Sequence, residues 1–92
     1  MALIIKPTGE LIEVNPKNGK GFDLTELQNI VEVFFEIVHL DNNLIMCVNE
    51  DGLSLNLPKN DIATMICLKQ GAISPFGFIV GNALICHNKR VD

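Results

Sequence analysis

Apolar and polar positions along the chain fall into blocks whose spacing alternates between the period of a strand and the period of a helix. Ala2 to Ile5 and Glu10 to Val14 are β-prone runs on either side of Pro7-Thr8-Gly9. Such runs around a Pro and Gly turn predict a strand or hairpin. Asn15 to Gly21 reads as a flexible loop. Asp23 then offers an oxygen to the free amides of a first helical turn, and Glu26 three residues on completes a capping-box pattern. Leu24, Leu27, Val31 and Phe34 recur at intervals of three and four, with Ile30 beside them, which predicts a helix packed by one apolar stripe onto a sheet.

Phe34 to Leu40 is β-branched and aromatic, Asp41-Asn42-Asn43 is a turn, and Leu44 to Val48 is apolar throughout. These two runs predict an antiparallel hairpin. Asn49-Glu50-Asp51-Gly52 is a second turn, and Leu53-Ser54-Leu55-Asn56-Leu57 alternates at period two, so a meander of three strands is the simplest reading. Residues 62–68 fit a short helix or a strand equally well. Gly71, Pro75 and Gly77 interrupt the chain, Phe78 to Cys86 reads as a last strand broken at Gly81-Asn82, and His87 to Asp92 is a polar tail. The expected fold is α+β, a mainly antiparallel sheet of about five strands against one main helix with a possible second short helix. No repeat, linker or low-complexity segment divides residues 1–92, so one domain is expected.

Length changes this picture by limiting the core. A chain of 92 residues buries little more than about 60% of its unfolded surface. Nearly half of its residues are apolar (48%) while Trp and Tyr are absent. So much aliphatic surface on so small a domain predicts cover from a second copy or another partner. Cys47, Cys67 and Cys86 each lie in an apolar run with no short paired spacing, and an odd number argues against a disulfide framework. The apolar runs fall far short of the roughly 20 residues that span a bilayer, and the amino-terminal run lacks the pattern of a signal sequence. A reducing cytoplasm is the expected location, with no membrane role.

Charge is unevenly placed. Asp23, Glu26, Glu32, Glu36, Asp41, Glu50 and Asp51 occupy a stretch without Lys or Arg, and all seven basic residues lie outside it. No basic run interleaved with aromatics occurs, which disfavours nucleic acid as a partner. An acidic middle suits a basic protein surface, although such faces are more often simply solvated.

Candidate chemistry is sparse. Cys86 and His87 are neighbours on an expected strand, where adjacent side chains point to opposite faces, so they cannot act on one another. His39 reads as a structural histidine, and no ligand spacing typical of zinc is present. Asn18-Gly19-Lys20-Gly21 ahead of a capped helix has parts of an anion site but lacks a Ser or Thr after Lys20. No carboxylate pair or cofactor motif stands out. Asn49, Lys59, Asn60 and Asn82 remain as ligand- or partner-binding candidates, because an asparagine amide both donates and accepts, and because Gly81-Asn82 within an apolar run marks a bulge or a close approach.

Leu3-Ile4-Ile5-Lys6-Pro7, Leu27-Gln28, Glu36-Ile37-Val38, Asn49-Glu50-Asp51-Gly52, Leu57-Pro58-Lys59-Asn60 and Ile79-Val80-Gly81-Asn82 resemble a family of short proteins of unknown function carried by bacteriophages, plasmids and other mobile elements. The pair Asn-Glu-x-Gly and Leu-Pro-x-Asn is its most specific part. The chain has Glu32-Val33 where such proteins often place a glycine pair, and they tend to carry a further helix after the position of Asp92. The resemblance implies an accessory protein of a phage or mobile element and supplies no mechanism. The leading expectation is a non-enzymatic, homodimeric binding protein that engages a host protein. A sponge for a small polar or nucleotide-like ligand comes second, and an enzyme third.

Overall fold

The computed structural model describes residues 2–31, 35–50 and 56–90. Its elements in chain order are β1 (Ala2–Ile5), β2 (Leu11–Val14), α1 (Leu24–Val31), β3 (Phe35–His39), β4 (Leu44–Asn49), α2 (Asp61–Lys69), β5 (Ala83–His87) and a 3-10 turn at Asn88–Arg90. The strands form one five-stranded sheet in the order β2, β1, β5, β4, β3, with each neighbouring pair antiparallel. The expected α+β architecture is therefore the observed one.

Both hairpins read from the sequence are present. Between β1 and β2, Gly9 takes a φ of +93° and its amide donates to the Lys6 carbonyl at 2.9 Å. Between β3 and β4, Asn42 and Asn43 take φ values of 61° and 62°, a backbone region that asparagine tolerates better than most residues. Beside β4, on the side away from β3, the sheet continues with β5. Asn56 lies in a turn and Leu57 outside any strand, while residues 53–55 fall outside the described set, as do the junction at Glu32-Val33 and Gly52.

The last strand is shorter than its apolar run. Pairing begins at Ala83, and Val80 makes one isolated bridge with Lys59. Gly81 separates the two with a φ of +74°, a conformation that ends strand geometry. Residues 62–68, which the sequence left between helix and strand, are helical within α2.

The central strands of the sheet are covered on both faces. Along β4, Ile45 and Cys47 join a cluster with Leu27 and Val31 of α1, while Met46 and Val48 join Ala63 and Cys67 of α2. The uninterrupted apolar run of this strand follows from its central, doubly covered position. In α1, Leu27 and Val31 are buried and Ile30 packs at the margin, but Leu24 is exposed, so the inward stripe begins one turn later than its spacing suggests. The capping box forms as expected: Asp23 Oδ1 accepts from the Glu26 amide at 2.9 Å and Glu26 Oε1 from the Asp23 amide at 3.3 Å. The second Glu26 oxygen accepts from the Lys17 amide at 3.0 Å, which fastens the preceding loop to the helix.

Candidate binding surfaces

The three candidate asparagines lie where backbone groups of distant segments need partners. Asn60 is fully buried and caps α2, its Oδ1 accepting from the Ala63 amide at 3.1 Å. Its Nδ2 donates to the carbonyls of Ile5 at 2.8 Å and Gly81 at 2.9 Å. One side chain therefore joins the end of β1, the start of α2 and the turn before β5. The backbone supports the same junction, with the Asn60 amide donating to Ile79 at 2.7 Å and the Gly81 amide to Pro58 at 2.8 Å.

Asn49 and Asn82 act at the other end of the molecule's first helix. Asn49 Nδ2 donates to the Val31 carbonyl at 2.9 Å and Asn82 Nδ2 to the Ile30 carbonyl at 3.3 Å. Final helical carbonyls have no partner within their own helix, so both amides serve as remote caps of α1. Asn49 Oδ1 is buried without a hydrogen-bond partner among the described residues. The close approach suggested by Gly81-Asn82 comes from the chain itself, because a Cβ at Gly81 would stand 2.9 Å from Leu57 Cδ1.

Lys59 does not converge with these amides. Its ammonium lies 3.8 Å from Asp61 Oδ1 and 5.8 Å from the centre of the Phe78 ring, on the exposed side of the bridge to Val80. Asn82 instead lines a hollow of about 280 Å³ together with Lys6, Pro7, Thr8, Ile30, Leu57 and neighbouring backbone. Lys6 is engaged there by Glu10 at 3.8 Å.

Segments far apart in sequence, namely Ile5 to Pro7, Leu57 to Asn60 and Ile79 to Asn82, thus meet around one buried amide and border one hollow. A family model described as a domain of unknown function (DUF3846) matches residues 1–92. The chain belongs to this family. No curated protein and no solved structure matches it.

In this DUF3846 domain the remaining sequence candidates have structural explanations. Asn18 Oδ1 accepts from the amides of Lys20 at 2.8 Å and Gly21 at 2.9 Å, and the Gly19 amide donates to Pro16. The amides that an anion would need are therefore already bonded within the loop. All three cysteines are buried free thiols. Burial, with Cys86 nearby, pushes the Cys47 thiol up to about 12, and burial raises Cys67 as well. A nucleophilic cysteine requires the opposite shift. Cys67 Sγ instead contacts Met46 Sδ at 3.6 Å. His39, expected to be structural, is exposed on edge strand β3. Among the described residues, no three His, Cys, Asp or Glu side chains are grouped to hold a metal ion, and no helix is long and apolar enough to cross a membrane.

The acidic middle is divided. Asp23 and Glu26 belong to the capping box, whereas Glu36, Asp41 and Glu50 are exposed on or beside the β3–β4 hairpin. Glu32 and Asp51 lie outside the described residues.

Two apolar surfaces were not singled out by the sequence. The first is a turn in which the Gly77 amide donates to the Ser74 carbonyl at 2.8 Å, holding Phe76 at the corner with 92% of its surface exposed. Phe78 beside it is 45% exposed. Ser-Pro-x-Gly is a common β-turn sequence, so an aromatic at its open corner was the available signal. The second is the outer side of α2, where Ile62, Met65 and Leu68 are exposed. Its signal was weaker, because α2 carries apolar residues on both sides.

Proposed function

We propose that this domain is a non-enzymatic binding module of a phage or other mobile element that engages a host protein through the turn carrying Phe76 and Phe78. The observation that carries the reading is the exposure of Phe76. A phenylalanine left in water forgoes about 1.5–3 kcal/mol of burial free energy, and at 92% exposure the fold gains almost nothing from it. Aromatic residues are enriched in protein interfaces, where a partner supplies the missing burial. The exposed acids Glu36, Asp41 and Glu50 favour a partner with a basic surface.

The hollow beside Lys6, Thr8 and Asn82 favours a second reading, a sponge for a small polar or nucleotide-like ligand. It ranks lower because Lys6 is already ion-paired and the Asn82 amide already bonded to Ile30. A nucleotide needs several unengaged donors.

One experiment separates the two readings. The protein and its Phe76→Ala variant are incubated with bacterial lysate, and captured proteins are analysed alongside small molecules released by heating. A stoichiometric protein captured by the parent and lost by Phe76→Ala, with the melting temperature unchanged, supports the proposal. A stoichiometric nucleotide retained by both forms contradicts it.

A further inference from the structure

The exposed side of α2 has an order that reads alike in both directions apart from charge. Ile62 and Leu68 stand three residues before and after Met65, and Asp61 and Lys69 stand four before and after it. At about 100° per residue these five positions fall within roughly 60° on either side of Met65. Met65 is 57% exposed, Ile62 38% and Leu68 40%. A hollow of about 200 Å³ lies between Asp61, Ile62, Met65, Ile66 and Lys69, large enough for a side chain from a facing helix.

We propose that a second copy of this chain covers this face, with the two α2 helices antiparallel and the two-fold axis passing beside Met65. Two-fold contacts are self-complementary, with each patch meeting its own copy. Met65 then meets Met65 of the other copy, Ile62 approaches the end that carries Leu68, and the Asp61 end of each helix lies beside the Lys69 end of the other. Parallel pairing would juxtapose like charges and align the helix dipoles unfavourably. Asp61 has 83% of its side chain in water despite its contact with Lys59, so it remains open to Lys69 across the interface.

Size sets the strength of this contact. A nine-residue helix is about 14 Å long, too short to supply by itself the roughly 800 Å² per partner of a stable interface. The β1–β2 turn extends the face, since a Cβ at Gly9 would lie 4.0 Å from Ile62 Cδ1. The expected product is a weak dimer that forms only at high protein concentration.

Sedimentation across a range of concentrations, combined with directed cross-linking, tests the proposal. Met65→Lys places two ammonium groups at the two-fold axis and weakens the dimer more than about tenfold, with the melting curve of the dilute monomer unchanged. Met65→Cys forms an intermolecular disulfide on mild oxidation, whereas Glu36→Cys on the exposed edge strand does not; the native thiols are buried and do not compete. A monomer at all concentrations, a dimer unaffected by Met65→Lys, or equal cross-linking at positions 65 and 36 overturns the proposal. Phe76→Ala leaves the dimer intact, so failure here is distinguishable from failure of the host-protein reading.

Discussion

Replacing Asn60 with alanine distinguishes an asparagine that holds the fold from one that holds a ligand. The native side chain is fully buried, accepts from Ala63 and donates to Ile5 and Gly81. Loss of the helix cap costs about 1 kcal/mol. Each lost interior bond costs about 1 kcal/mol net, rising to about 3 kcal/mol where the carbonyl finds no other donor. The expected loss is therefore about 3–7 kcal/mol, set against about 5–14 kcal/mol of total stability for a domain of 92 residues. Urea denaturation followed by far-ultraviolet circular dichroism measures it. With a slope near 1 kcal/mol/M, the midpoint falls by at least about 3 M, and at the upper end of the range the variant is unfolded in buffer. Asn60→Asp keeps the capping oxygen but faces two carbonyls with a buried carboxylate, and loses at least as much. Lys59→Ala, at an exposed neighbour, changes stability by less than about 0.5 kcal/mol. An Asn60→Ala protein within about 1 kcal/mol of the parent would refute the reasoning and return Asn60 to the list of ligand contacts.

Other expectations follow from the same geometry. Gly81→Ala loses about 1–2 kcal/mol for its positive φ plus the cost of displacing Leu57, whereas Gly19→Ala, with the same φ of 74° and nothing within 4 Å, loses only the first part; paired urea midpoints show the difference. Asp23→Ala removes the cap of α1 and lowers stability by about 1 kcal/mol, read from the same titration. Cys47 keeps its proton in the folded state up to about 12, against 9.0 for the ordinary thiol. Between those values the unfolded chain binds fewer protons than the folded one, so this thiol makes stability fall as pH rises from about 9 toward 12. A thiol-reactive dye at pH 8 should find no rapidly reacting cysteine until the protein is unfolded, and Cys47→Ala should reduce the alkaline slope.

The parts of this fold legible in the sequence are those determined within a few residues. Asp23 and Glu26 announced α1 because both halves of a capping box lie within one turn. The β1–β2 and β3–β4 hairpins were legible because their strands are separated only by turn residues. The neighbour of β4 was not legible because local alternation along the chain carries no information about β5, which begins at Ala83 and occupies the position beside β4. The second helix was ambiguous because Ala63 and Cys67 face the sheet while Ile62, Met65 and Leu68 face outward, which removes the one-sided stripe on which a helix reading depends. Among the candidate residues, the asparagines drew notice for their hydrogen-bonding capacity, but the carbonyls they serve lie as far as 55 positions away. Phe76 was passed over because a turn pattern locates a corner without saying how far its side chain stands in water.

The central claim, that the Phe76 turn is the surface that meets a host protein, is most directly tested by fluorescence. The chain contains no tryptophan and no tyrosine, so Phe76→Trp introduces a single reporter at the corner of the turn. The account predicts emission typical of a solvent-exposed indole in the isolated protein, and a blue shift that saturates at a fixed stoichiometry when the captured host protein is added. Emission that stays unchanged while that partner is demonstrably bound would place the contact elsewhere and contradict it.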